Sequence, residues 1–140
     1  MSNLIFKNEI PLIEKYFPLF LSTGWNEEYN LSSSELNEIV KKSYFAVCAY
    51  DDDALVGFGR LVSDGILYAM IYEMIVHPDY QGKGIGKEIL NRLVKKCTDD
   101  NIRDIQLFCA KGKRGFYESC GFEARHEDAP GMQFKKKNKL

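Results

Sequence analysis

The order of elements predicts an α/β (α+β) domain built on one mixed sheet, with helices on both faces. Three observations carry that prediction. Short β-rich runs alternate with stretches of helical period, giving the order β-α-α-β-β-β-α-β-α-β(β). The turn signals "DDD" at 51–53 and "SDG" at 63–65 fold three strands into an antiparallel run. A strand–helix–strand crossover follows, which turns a meander into a mixed sheet.

The first strand is expected in "NLIFKN" (3–8). Residues 9–22 place Ile10, Ile13, Phe17 and Leu21 near helical spacing, with Pro11 suited to a first turn and Pro18 expected to end or kink the helix. "TGWNEEYN" (23–30) reads as a loop. Ser32 and Glu35 form a capping box for a helix over Ser33 to Lys42, with Leu36, Ile39 and Val40 inward. "YFAVCAY" (44–50) and "ALVGFGRLV" (54–62) read as a hairpin, and "ILYAMIYEMIV" (66–76) as a long strand interrupted only by Glu73. From Gly84 to about Asp99, Ile85, Ile89, Leu90, Leu93 and Val94 make an amphipathic stripe. "IRDIQLFCA" (102–110) is a further strand, and "GKRGFYESCGF" (112–122) a short helix ended by Gly121. "EARHEDAPGMQF" (123–134) is expected to supply one or two closing strands, for a sheet of six to seven. "KKKNKL" (135–140) reads as a solvated end.

Composition narrows the class. A chain of 140 residues fits one domain, 1–140, and its 45% hydrophobic and 28% charged content is that of a folded protein. A net charge of −1 supplies no global positive field, so no nucleic-acid partner is expected. The four cysteines, Cys48, Cys97, Cys109 and Cys120, make neither a CxxC nor a zinc spacing, so no metal is expected. No apolar run has membrane-spanning length and "MSNLIFKNEI" lacks the features of an export signal, so a reduced, cytoplasmic protein without a membrane partner is expected.

The stretch "VHPDYQGKGIGKEIL" (76–90) carries the chemistry. Gly82, Gly84 and Gly86 follow a strand and precede a helix, leaving the local amides open to an anion such as a phosphate or pyrophosphate. Lys83 and Lys87 would add point charges to the same site. A P-loop is excluded because no Gly-Lys-Ser/Thr occurs. A dinucleotide fingerprint fails on spacing (GxGxG in place of GxGxxG) and on position, since three or four strands precede the turn.

Gln81, Gly84 and Gly86 match the Q/R-x-x-G-x-G/A segment of the GCN5-related N-acetyltransferase superfamily, and "FYESCGF" (116–122) resembles its aromatic-Tyr-x-x-x-Gly-Phe segment. The two segments stand in the family's order, with a strand between them. Within the superfamily the chain is similar to small bacterial amine acetyltransferases. Through "VGFGRLVSDG" and the closing "GFEAR" and "PGM" it also resembles the plant serotonin N-acetyltransferase group.

That resemblance implies a mostly antiparallel sheet with a central V-shaped splay. Acetyl-CoA would lie in the splay, against backbone groups of Ile75 and Val76, with its pyrophosphate on the turn formed by Gln81, Gly82, Lys83, Gly84, Ile85 and Gly86, beside Lys87. It implies direct attack of an amine on the thioester, a backbone N–H near Val76 polarising the carbonyl, and Tyr117 as general acid to the leaving thiolate. Glu73 is read two ways: as a base or anchor for the substrate ammonium, or as a salt-bridge partner of Arg60. Trp25, Tyr29, Asp64, Tyr68 and Met132 are candidates to line the acceptor pocket, where Glu27, Glu28 and Asp64 would favour a cationic amine.

The function expected is acetyl transfer to a primary amine, with a small-molecule acceptor as partner. The alternatives are a protein lysine or N-terminal acceptor, or a non-catalytic acyl-CoA-binding module. Homodimers are common in the superfamily, and a homodimer is an expectation by analogy.

Overall fold

The computed structural model describes residues 3–135. It divides into two compact units, one ending at Leu107 and the other beginning at Phe108.

The first unit holds β1 (Leu4–Lys7), α1 (Ile13–Leu21), α2 (Asn26–Tyr29), α3 (Ser33–Lys41), β2 (Phe45–Asp51), β3 (Ala54–Ser63), β4 (Tyr68–Val76), α4 (Ile85–Asp99) and β5 (Asp104–Leu107). Its sheet runs β1-β2-β3-β4-β5. The first four strands pair antiparallel and β5 joins β4 in parallel, because α4 carries the chain back over the sheet. The mixed, mostly antiparallel sheet expected from the sequence is therefore present.

Among the described residues the strand count is five, not six to seven. Residues 123–134 were expected to close the sheet and carry no strand. Their run of charges with Pro130 and Gly131 offers little alternation to bury and lacks one ladder donor. The Lys-rich end beyond Lys135, read as solvated, lies outside the described residues.

Helices cover both faces of the sheet, and alternation along β3 shows how. Phe58 points to one side, where its ring meets Tyr16 of α1 at 4.4 Å. Tyr16, Leu19, Phe20, Leu36 and Val40 from α1 and α3 join it in one buried core. Gly57 and Gly59 point to the other side. A Cβ on Gly57 would come within 2.9 Å of Ile85 and Ile89, and one on Gly59 within 2.9 Å of Ile89 and 3.0 Å of Leu93. The missing side chains let α4 lie close against the strands.

Local chemistry accounts for the helix ends. Ser32 accepts from the Glu35 amide at 3.1 Å and Glu35 returns a bond to the Ser32 amide at 2.9 Å, which is the expected capping box. Pro18 neither ends nor interrupts α1, which continues to Leu21 because Tyr16, Leu19 and Phe20 bury its apolar face. Residues read as a loop contain α2, a single turn held by side-chain bonds. Asn26 donates to the Leu31 carbonyl at 3.0 Å and accepts from the Leu31 amide at 2.7 Å.

The second unit contains α5 (Arg114–Ser119). Phe116 and Phe122 flank Tyr117 edge-on, with ring centroids at 5.0 and 6.1 Å. Among the described residues, no helix is long and apolar enough to cross a membrane.

Candidate active site

Strand β4 connects the two parts of the site. Its pairing with β5 ends at Ile71 opposite Leu107, while β4 itself continues to Val76. Among the described residues, 72–76 therefore keep β3 on one side and have no strand on the other, an open edge where the resemblance expects the splay. On the β3 side, Ile75 pairs with Phe58 and Val76 with Gly57.

Beyond Val76 the chain makes a single 3-10 turn, Pro78–Tyr80, and then the glycine segment. Gly82 (φ 77°) and Gly84 (φ 83°) adopt left-handed backbone that a side chain disfavours, and Gly84 is the N-cap of α4. A Cβ at either would meet nothing within 4 Å. Conformation, and not crowding, is what requires glycine there. No side chain caps α4, and among the described residues none of the amides of 81–87 donates to a protein acceptor. Seven adjacent N–H groups at the positive end of a 15-residue helix suit a polyanion. Gln81, which begins the segment, donates from its side chain to the Val76 carbonyl at 3.0 Å, tying the turn back to β4. Lys83 rests its ammonium 5.6 Å from the Tyr80 ring centroid.

At the other end of the open edge, β4 contains a bulge. Arg60 pairs with Tyr72 and Phe58 with Ile75, so Glu73 and Met74 together oppose Gly59. Glu73 takes φ 46°, an uncommon conformation for a residue with a Cβ. Strict alternation would send Tyr72 and Glu73 to opposite faces. The extra residue puts both on the same side, in the wall of one cleft.

In that cleft, Arg60 Nε donates to Glu73 Oε1. The side chains are 10% and 19% exposed, so the pair is largely but not wholly withdrawn from water. Arg60 also makes long contacts to the Ile39 carbonyl (3.5 Å) and Ser43 Oγ (3.4 Å) of the α3 region and stacks over Tyr72. The salt-bridge reading of Glu73 is thus realised, and its carboxylate still borders the cleft.

The cleft has a volume of ≈ 650 Å³, within the usual range for small-molecule sites. Phe20, Trp25, Tyr29 and Tyr72 give it aromatic walls, and Glu28 and Glu73 supply the acid. Trp25 is held by its amide, which donates to Thr23 Oγ1 at 3.0 Å, and by an edge contact with Phe20.

Of the sequence candidates, the first unit brings Glu73, Trp25 and Tyr29 together around this cleft. Ile75, Val76 and residues 81–87 form the open edge and its turn. Asp64 and Tyr68 lie at the β3–β4 turn and do not line the cleft. Asp64 accepts from the amides of Ile66 (2.8 Å), Leu67 (2.7 Å) and Tyr68 (3.2 Å), and those bonds hold its carboxyl below the ordinary range. Tyr117 and the exposed Met132 belong to the second unit. Within it, burial pushes the Tyr117 phenol above its ordinary value, with smaller contributions from Cys109 and Cys120.

The sequence reading missed Phe20 and Tyr72 as cleft walls. Tyr72 is adjacent to Glu73 and would have been found only by anticipating the bulge. No cluster of three or more metal-ligating side chains occurs among the described residues.

Residues 23–131 match the family profile described as "Acetyltransferase (GNAT) domain". The chain is 43% identical over 82 residues to GCN5-related N-acetyltransferase 3, chloroplastic, of Arabidopsis thaliana, which covers 59% of this chain and 35% of that protein. It thus spans about a third of the length of that curated relative. Among solved structures it resembles a GNAT-family acetyltransferase of Streptococcus pneumoniae, with 26% identity and a TM-score of 0.79 over 97% of this chain and 100% of that one. A Staphylococcus aureus protein of the same fold superposes with a TM-score of 0.80 at 24% identity, covering 96% and 100% of the two chains. The family profile, covering most of the chain, and the glycine turn at the end of an open β4 edge lead to one conclusion: this chain belongs to the GNAT acetyltransferase family.

Proposed function

We propose that the chain is an acetyl-CoA-dependent N-acetyltransferase whose acceptor is a small primary amine. One observation carries this reading: β4 leads from an acid-lined cleft, at Tyr72 and Glu73, towards the turn at 81–87, whose seven amides have no acceptor among the described residues. In this reading an amine site and an anion site are joined by a strand edge that, among the described residues, pairs with no second strand beyond Ile71.

The residues fit coenzyme A. The turn is open at Gly82 and Gly84, its amides suit a pyrophosphate, and the exposed edge of β4 suits an extended amide-bearing arm. The bound cofactor supplies the activated thioester. Glu73 Oε accepts a proton from the acceptor ammonium, directly or through water, and holds that nitrogen beside the edge. A backbone N–H near Val76 orients and polarises the carbonyl. Tyr117 gives its phenolic proton to the leaving sulfur, consistent with a group that stays protonated at neutral pH.

Two features support a small acceptor and an active enzyme. The cleft has aromatic walls and a volume suited to a drug-sized molecule. The positive φ of Glu73 costs of order 1 kcal/mol, which a passive cofactor binder has no need to sustain.

The test is release of free thiol from acetyl-CoA across polyamines, arylalkylamines, amino sugars and peptides bearing lysine or a free N-terminus. Acceptor-dependent release with small amines is expected. Release with peptides alone would move the acceptor to protein, and saturable CoA binding with no release would leave a binding module.

A further inference from the structure

Tyr80 and Asp51 lie outside every role assigned above, yet the hydrogen bond between them fixes the segment on which the cofactor reading rests. Tyr80 Oη donates to Asp51 Oδ2 at 2.7 Å, joining the residue just before the glycine segment to the end of β2, 29 positions away in sequence. Other bonds on this segment are local to the β3–β4 end. The His77 amide donates to the Val56 carbonyl at 2.8 Å, the Asp79 amide to His77 Nδ1 at 3.1 Å, and Gln81 to the Val76 carbonyl.

The chemistry of both partners marks the contact as more than packing. Asp51 Oδ1 is buried and has no partner among the described residues, where Tyr80 supplies this carboxylate's side-chain hydrogen bond. A buried oxygen left in that state is disfavoured, and a plain hairpin end does not need one. Tyr80 also serves Lys83, whose ammonium lies over its ring. Gly82 and Gly84 carry little conformational preference of their own. A fixture from outside the turn is what can set them.

We propose that Tyr80 and Asp51 form a latch that pre-sets the glycine turn for the pyrophosphate, with the Tyr80 ring holding Lys83 in place to meet the same group. The inference rests on the proposed reading of the turn as the pyrophosphate site. Neither residue touches the cofactor in this scheme. Both are positioning residues, acting through the amides of 81–87 and through Lys83.

The test is equilibrium binding, by titration calorimetry, of CoA and of pantetheine, the fragment that keeps the arm and lacks the pyrophosphate. The wild-type chain is expected to prefer CoA strongly. Tyr80→Phe, which removes one oxygen and keeps the ring, is expected to weaken CoA binding about tenfold and leave pantetheine binding in place. Asp51→Ala, which removes the acceptor, should shift the same ratio in the same direction. The double variant should lose no more of the preference than the worse single one, since both changes break one bond.

Equal loss of both ligands would make the contact a general structural bond and overturn the latch, as would full retention of the CoA preference in Tyr80→Phe. A wild-type chain with no preference for CoA over pantetheine would overturn the pyrophosphate reading beneath it, a result separable from either of those. Melting curves establish that each variant is folded. Tyr80→Phe decides alone if Asp51→Ala does not fold.

Discussion

Arg60 and Glu73 form an ion pair across the β4 bulge, and the bulge is what makes the pair reachable from the cleft. Two substitutions separate its parts. Glu73→Gln keeps a hydrogen-bond acceptor for Arg60 and loses the charge. It should reduce acceptor-dependent turnover about a hundredfold with little change in thermal midpoint. Glu73→Ala leaves the guanidinium without its partner and should also cost about 1–3 kcal/mol, less than a fully buried pair because Glu73 keeps some solvent contact. Equal turnover in wild type and Glu73→Gln would assign the carboxylate to structure alone.

Two glycines near α4, Gly59 on β3 and Gly84 at the helix N-cap, should differ in their effect on CoA binding. Gly59→Ala drives a Cβ to 2.7 Å from Met74 Sδ and 2.9 Å from Ile89 Cγ2, so it should destabilise by about 1–3 kcal/mol through overpacking, with CoA affinity intact in the folded fraction. Gly84→Ala meets no atom but must hold φ 83°. It should cost about 1–2 kcal/mol and weaken CoA binding as the turn shifts. Chemical denaturation paired with CoA titration reads both quantities for each variant.

What the sequence revealed and what it concealed follow from locality. The turn at 81–87 was legible because glycine spacing, the preceding apolar run and the following amphipathic stripe are all local signals. The Ser32–Glu35 box was legible for the same reason. The bulge was not: Glu73 is no glycine, and its φ of 46° appears only when two residues of β4 must face one residue of β3. Helix α2 escaped notice because side-chain bonds from Asn26, and not apolar period, define it. Charge alone made Asp64 a pocket candidate. The "SDG" signal that contains it already carried the information that three amides use, but turn chemistry and substrate chemistry look alike in composition.

Asp64 makes a stability prediction. Its three backbone hydrogen bonds hold the folded-state pKa below the ordinary 3.8, so the folded protein binds fewer protons there than the unfolded chain. The stabilisation is complete above 3.8 and fades as pH falls through the depressed folded value. Asp64→Asn keeps an acceptor for the turn and cannot titrate. Thermal midpoints taken from about pH 2 to about pH 6 should fall less steeply with acid in the variant than in wild type. Parallel curves would mean that other carboxylates carry the acid response.

Tyr16 tests how the core tolerates a polar atom. Its side chain is fully buried against Phe58, and its hydroxyl has no partner among the described residues. Burial raises the phenol, with the Glu73 charge adding to that. Tyr16→Phe removes an unsatisfied group at little cost in shape, so its stability should lie between unchanged and about 1 kcal/mol higher. A loss above about 1 kcal/mol in denaturant would mean that the hydroxyl is satisfied by water reaching in from the Glu73 side, which would extend the polar floor of the cleft inward.

Tyr117 is the remaining link, because it alone would serve the leaving group. Its phenol is raised above 10, chiefly by burial beside Phe116 and Phe122. A raised value keeps the proton on the oxygen to higher pH, so acid function should persist through the neutral and mildly alkaline range. Any fall in rate on the basic side below about pH 10 must then come from another group. Tyr117→Phe should lower turnover about a hundredfold while the equilibrium affinity for CoA changes less than threefold (about 0.6 kcal/mol), because only the proton is removed. A thioester with a more acidic leaving thiol needs that proton less, so it should recover much of the lost rate in the variant. Failure of such a donor to rescue Tyr117→Phe, with cofactor affinity unchanged, would leave Tyr117 as a packing residue and require the leaving thiolate to be protonated by solvent.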